Sequence, residues 1–347
     1  MCHLYNITNL ALSQEKNISY EIITNNKVDI VLERIEERIN LRNSLLPYIK
    51  TAIDSLHEKY GKNDVIFERL KDCGKNIWID DKNGKIGTAN FCKNRLCPVC
   101  NYRRSSKQWG LIYKIVSNHN DKYKYLFMTL TVENCTTDNL SKTIDDILQS
   151  FHRLTSRKKW KRVIRGYVRG LEITYNSNLN SFHPHLHVLC AVDKDYFTDP
   201  EKYFSATEIT ENWKISANLN YRPSTDIRAV DDNKKAVAEI AKYSLKMANI
   251  LTSGTINSKR AKAVKTLYES IYSRRLISMA GCFKSKLLKN DINDIELDDF
   301  ENKRKIIELI KAEKRANYAE YLHNLTAFHF NDKTGNFDKL KKVNFKE

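Results

Sequence analysis

The sequence predicts an α+β fold: a central antiparallel β-sheet with helices packed on it, a small four-cysteine zinc module at its N-terminal side, and flanking helical segments. Three observations predict it. The segments 123–132, 165–175 and 184–192 alternate aliphatic with polar residues at a period of two, as half-buried strands do. The stretches before, between and after them carry apolar residues at helical spacing. Four cysteines, Cys73, Cys92, Cys97 and Cys100, crowd one short region ahead of the first strand.

A chain of 347 residues, 41% hydrophobic and 29% charged, can bury a sizeable core and has room for more than one domain. Its net charge of +17 points to a polyanionic partner. The basic residues are spread along the chain rather than confined to one amphipathic segment, which favours nucleic acid over a membrane surface. No run approaches the roughly 18–20 apolar residues of a transmembrane helix. The start, "MCHLYNITNLALSQEKN", lacks the basic, apolar and cleavage regions of a signal peptide. A cytoplasmic protein is expected, and in that compartment clustered cysteines suggest a metal site rather than disulfides.

Four regions follow in order. Residues 1–62 form an N-terminal helical segment, in which the apolar pattern of 27–60 is interrupted at Pro47 and predicts two helices. Residues 63–118 form the zinc-binding module, irregular over about 64–104 and helical over 105–118. Residues 119–252 hold the sheet, with a charged helical stretch at 138–162 and helices at 199–217 and 231–252. Residues 253–347 read as mostly helical, with a long charge-laced pattern at about 293–325 that suits dimerisation, DNA contact or plain packing. There is no internal repeat and no low-complexity linker.

In "FCKNRLCPVCNYRRSSKQWG" the spacing is Cys92-x4-Cys97-x2-Cys100. The C-P-x-C step is a tight turn that brings two thiolates to one tetrahedral zinc, and Cys73 with Cys92 is the natural second pair. Four thiolates leave no open position, so such a site is structural rather than catalytic. Arg95, Arg103, Arg104 and Lys107 surround it as candidate phosphate contacts.

The strands carry the chemistry. In "YLFMTLTVEN", Leu126, Met128, Leu130 and Val132 share one face, with Thr129 and Thr131 on the other. In "GYVRGLEITYN", Leu171, Ile173 and Tyr175 oppose Glu172 and Thr174. In "SFHPHLHVLCAV", His185 and His187 share a side opposite Leu186, Val188, Cys190 and Val192, with His183 further out. If the strands are neighbours, His185, His187 and Glu172 converge, and two imidazoles with a carboxylate suit Mg²⁺ or Mn²⁺ with positions left for substrate oxygens. In "DDNKKAVAEIAKYSLKMANIL", Ala236, Ile240 and Met247 fall at helical packing positions, while Glu239 and Tyr243 lie one turn apart on one side and Lys246 extends it. A tyrosine is a workable phosphoryl nucleophile when a cation and a metal position the phosphate.

The order "LFMTLTVEN", "HPHLHVL", "EIAKYSLK" resembles the three motifs of the HUH endonuclease superfamily. More closely, it resembles the rolling-circle replication initiators of small bacterial plasmids, in the branch with a single tyrosine. There a cysteine block similar to "CKNRLCPVC" precedes the first motif, a glutamate stands four residues before the tyrosine, and a segment similar to "RRLISMAGCFK" follows. The resemblance covers about residues 70–285 and implies a sheet of the HUH-endonuclease type. It implies that Tyr243 attacks the scissile phosphate at the plasmid's double-strand origin, leaving a 5′-phosphotyrosine and a 3′-OH. It further implies that His185 and His187 hold the divalent ion and that Glu239 activates water for the terminating cleavage, where other branches use a second tyrosine. Glu172 as third ligand, His183 as an outer residue and Lys246 as an electrostatic aid complete the expected site.

The implied partners are origin DNA, as a hairpin or single-stranded nick site, with host helicase and DNA polymerase; homodimerisation is left open. Two other readings share parts of the pattern. A relaxase or single-strand transposase would use the same chemistry, whereas a zinc-stabilised DNA-binding regulator would have no use for His185, His187 and Tyr243 together.

Overall fold

The computed structural model describes residues 27–60, 65–80, 84, 86–230, 233–241, 258–272, 274–284 and 325–340. The first helix, α1 (Lys27–Tyr60), is continuous, where two were expected. Its buried residues Leu32, Ile35, Ile39, Arg42, Leu45, Ile49 and Ile53 keep one phase through the exposed Pro47. Breaking the helix there would swing half of that stripe off the core, which outweighs the roughly 3 kcal/mol that an interior proline costs.

A short α2 (Val65–Lys71) leads into a hairpin of β1 (Asn76–Asp80) and β2 (Ile86–Ala89), in a stretch expected to be irregular. Helix α3 (Pro98–Ser117) follows, started by Pro98 in its first turn, where the missing N–H is no loss. The central sheet then begins with β3 (Tyr123–Thr131) and the two-residue β4 (Cys135–Thr136). Helix α4 (Leu140–Thr155) buries Leu140, Ile144, Ile147, Phe151 and Leu154 along one stripe. One turn and a half of α5 (Lys158–Val163) then enters β5 (Ile164–Asn176).

Strand β6 (Ser181–Asp193) pairs with β5 along nearly its whole length. Helix α6 (Ala206–Ser216) opens with a capped turn in which Ser205 Oγ accepts the Glu208 amide at 3.1 Å. Strand β7 (Thr225–Ala229), helix α7 (Asn233–Ala241), helix α8 (Ser258–Ile271) and strand β8 (Ile277–Gly281) complete the domain.

The central sheet is antiparallel, ordered β7-β3-β6-β5-β8, with β4 extending beside β6. One face, bearing Leu126, Met128, Leu171, Ile173, Leu186 and Val188, is covered by α4, α6 and α8 in the main core. The other face is divided along its length. Its far half carries Tyr125, Phe127, Val168, Leu189 and Ala191, which pack under α3 and α7 with Ile112, Val116, Val237 and Ile240. Its near half carries the histidines, threonines and Glu172. Each strand was expected to be polar along that whole face; the apolar half seats the helices that flank the site.

The second sheet is ordered β10-β9-β1-β2. Strands β9 (Leu325–Asn331) and β10 (Asn336–Lys339) form a hairpin from the end of the chain that pairs with β1 of the cysteine region. No strand was expected there. The helical pattern of 293–325 and the tyrosine turn at 242–252 lie outside the described residues, Leu325 alone excepted. No described helix is long and apolar enough to cross a membrane.

Candidate functional site

Strand register brings the polar half of the sheet together. On β6, His185 stands opposite Thr131 on one side and Glu172 on the other, and His187 opposite Thr129 and Gly170. Directly opposed residues point to the same face, so the alternation in three separate segments becomes one cluster. Glu172 Oε2 lies 3.0 Å from His187 Nε2 and 3.5 Å from His185 Nε2. Glu172 and His185 are buried, at 4% and 8% exposure, so a net charge here is poorly screened by water.

Acceptors that cannot donate decide the tautomers. His185 Nδ1 donates to the His183 carbonyl at 3.2 Å, which leaves Nε2 with its lone pair. His187 Nε2 donates to Glu172 Oε2 at 3.0 Å, so its Nδ1 accepts from the Thr129 hydroxyl at 3.3 Å. The two Nε2 atoms and a carboxylate oxygen converge, with candidate ligand atoms all within 4.8 Å of one another. Two imidazoles and a carboxylate this close form a donor set that fits a divalent cation in place of the proton between His187 and Glu172. His183 lies one step out, its ring stacked on His185 at 5.0 Å; burial holds its pKa below the usual imidazole value.

Helix α7 closes one side. Glu239 Oε1 stands 4.0 Å from His187 Nε2, and this approach depends on a residue that motif reading passed over. Gly170 sits opposite His187, and a Cβ there would lie 3.1 Å from the Ile240 carbonyl oxygen of α7. A glycine inside a strand marks a close backbone approach, and "VRGLEIT" carried that signal. Gly170→Val is expected to push α7 off the sheet, lower stability by about 1–3 kcal/mol and slow any step that uses Glu239. Thermal unfolding, together with the rate of the reaction the site performs, checks it. Tyr243 and Lys246, expected on the following turns, lie outside the described residues.

The cysteine cluster forms a second centre. Cys100 Sγ is 3.5 Å from Cys73 Sγ and 3.7 Å from Cys92 Sγ. Zinc–sulfur bonds of about 2.3 Å in a tetrahedron place sulfurs about 3.8 Å apart, so the spacing fits. Backbone amides point inward as well: Cys92 N–H donates to Cys73 Sγ at 3.3 Å and Lys93 N–H to Cys100 Sγ at 3.1 Å. Gly74 and Lys93, each just after a cysteine, take left-handed φ values of 81° and 59°, which turn the chain around the sulfurs. Hydrogen bonds from the Cys73, Cys92 and Cys97 thiols hold Cys100 far below the ordinary thiol range, while burial pushes Cys97 up. Four thiolates held this close together need a cation among them.

The basic residues around this cluster have structural work. Arg95 Nη1 donates to the Ile271 and Arg274 carbonyls at the end of α8, where a cation also offsets the helix dipole. Arg104 binds Asn101 Oδ1 and the Lys93 carbonyl, and Arg103 stacks over Phe91 at 4.4 Å. Lys107 is exposed.

A sheet bearing two imidazoles and a carboxylate on one face, with a four-cysteine cluster beside it, defines a protein with two candidate metal centres. Comparison with known proteins gives the family: residues 83–335 match the Rep_1 family, described as Replication protein, and the chain belongs to it. It is 32% identical over 271 residues to Protein rep of Streptococcus pneumoniae serotype 2 (strain D39 / NCTC 7466), covering 75% of this chain and 82% of that protein. It is 33% identical over 264 residues to Protein rep of Bacillus amyloliquefaciens, covering 69% and 76%. With Protein rep of Staphylococcus aureus the identity is 36% over 199 residues, covering 55% and 86%. No solved structure matches the chain. The expected resemblance to plasmid replication initiators is borne out at the level of the family.

Proposed function

We propose that this chain starts rolling-circle replication of a plasmid by nicking and rejoining one DNA strand at the double-strand origin. The observation that carries the reading is the convergence of His185, His187 and Glu172 on the sheet, with Glu239 of α7 reaching over them. A divalent cation held by these three residues would polarise the scissile phosphate and offset its growing charge. The chain's own groups supply the rest. The Tyr243 phenolate attacks phosphorus, the bond to the 3′ oxygen breaks, and that oxygen leaves as a 3′-OH after taking up a proton. The 5′ end stays on the tyrosine. Lys246, one turn on, offsets charge on the phosphoryl oxygens.

Glu239 serves the last step. It takes a proton from water, the hydroxide attacks the second scissile phosphate and breaks its bond to the 3′ oxygen, and the 3′-OH so released attacks the phosphotyrosine, which closes the circle and returns the Tyr243 phenol without a second tyrosine. Its position 4.0 Å from His187 Nε2 supports a water-activating role beside the phosphate. The cysteine cluster is proposed to hold structural zinc, and the expected partners are origin DNA and the host helicase and polymerase. The net charge of +17 suits phosphate contact with all of these DNA substrates.

The test is incubation with supercoiled plasmid carrying the cognate origin. Relaxed circles that form only with Mg²⁺ or Mn²⁺ are the expected result; undiminished nicking in chelator would overturn the proposal. Glu239→Ala is expected to nick at a near-normal rate but to leave adducts in place of released single-stranded circles. A normal circle yield from that variant would remove the role assigned to Glu239.

A further inference from the structure

The basic charge has a second concentration at the opposite end of the sheet. Residues 157–165, "RKKWKRVIR", hold six Lys or Arg and no acidic residue. On α1, by contrast, the basic residues are interleaved with carboxylates, Arg34 and Arg38 alternating with Glu33, Glu36 and Glu37. Helix α5 is short, and two features fix it. Trp160 and Val163 are buried, and Trp160 packs edge-on against Phe151 at 6.0 Å and Tyr167 at 6.4 Å. With those residues turned inward, Lys158, Lys161 and Arg162 share the exposed side.

Partners distinguish the members of this group. Arg165 is committed to Asp193, and Lys159 to Glu208 at 2.8 Å and to the Tyr203 carbonyl. Arg162 meets only the exposed Glu201 carboxylate at 3.7 Å and its backbone carbonyl. Among the described residues, Arg157, Lys158 and Lys161 hold no protein carboxylate. Arg157 and Lys158 also line a groove of about 430 Å³ floored by Trp160 and Phe204. Three cations without counter-charges on a rigid ridge repel one another unless an anion draws them together.

We infer that this ridge docks the phosphate backbone of duplex DNA flanking the nick, apart from the strand that enters the metal face. Spacing supports a duplex. Eight residue steps along the strand separate Ile164, next to α5, from Glu172. At about 3.3 Å each that is roughly 26 Å, or about eight base pairs from the scissile phosphate. The contact is to phosphate, so it sets affinity and register rather than reading bases.

The inference rests on the nicking reading, so the experiment separates the two. Full-length Arg157→Gln/Lys158→Gln/Lys161→Gln/Arg162→Gln is compared with wild type for duplex binding over a salt series. The salt slope should fall by about 3 to 4, with roughly hundredfold weaker binding at moderate salt. Cleavage of a single-stranded oligonucleotide holding only the nick site should be unchanged. Hydroxyl-radical footprinting of the wild-type complex, which needs no variant to fold, should protect backbone about eight base pairs to one side of the nick. An unchanged salt slope, or no protection there, overturns the ridge. A wild-type protein that leaves the oligonucleotide intact overturns the nicking reading alone, because the salt slope on duplex is still measurable.

Discussion

Replacing His187 with alanine is expected to slow origin nicking by about a thousandfold and to leave origin binding nearly unchanged. The ring supplies one of the two Nε2 atoms that face Glu172 and lies within 4.0 Å of Glu239. With one imidazole gone, the remaining pair holds a divalent ion far more weakly, and the electrostatic help to the leaving oxygen goes with it. An effect of about 4 kcal/mol on the barrier corresponds to the thousandfold loss. Binding should survive because the proposed duplex contacts use cations elsewhere. The fold survives because the His187 side chain, at 11% exposure, sits at the edge of the core rather than in it. Calorimetric titration with Mn²⁺ should show the weakened site directly. A variant that nicks at the normal rate would remove His187 from the machinery.

Cys97→Ser is expected to have the second-largest effect, on stability rather than chemistry. Cys97 is fully buried, and the four sulfurs join the turn after α2, the loop before α3 and the first turn of α3. Losing one thiolate from a tetrahedral site forfeits much of the metal's binding energy, which is folding energy for such a module. A loss of about 4 kcal/mol lowers Tm by on the order of 10 °C in a chain of this size. Helix α3 also covers the apolar half of the site face through Ile112 and Val116, so the damage should reach the sheet. Zinc analysis should give about one equivalent in the wild type and less than half of one in the variant. The divalent-ion requirement of whatever nicking remains should be the same. A variant with unaltered Tm and no zinc in either protein would show four buried reduced cysteines instead.

Much of this arrangement was legible because strand periodicity is an exact two. Once His185, His187, Glu172 and Thr129 were placed on strands, antiparallel pairing left them one face to share. The cysteine spacing worked for a similar reason: C-P-x-C is a local turn, and local geometry is written locally. What depended on long-range pairing was not legible. The hairpin at 325–340 joins β1 from more than 240 residues away, as in the pairing of Ile77 with Phe328, and nothing in its own composition names its partner. Pro47 misled for the opposite reason, since a local breaker was overridden by a buried stripe that continues through it. Gly170 was visible as a letter but not as a seat, because its meaning lies in the helix that crosses it.

The central claim is that the phenol of Tyr243 and the cation site of the sheet act on one phosphorus atom. Its most direct measurement is a labelled origin strand incubated with protein and Mn²⁺, digested, and analysed by mass spectrometry for the DNA-bearing peptide. The account predicts a 5′-phosphotyrosine at Tyr243, absent in Tyr243→Phe and reduced to trace in His187→Ala. An adduct on another residue, or full adduct formation by either variant, would contradict it.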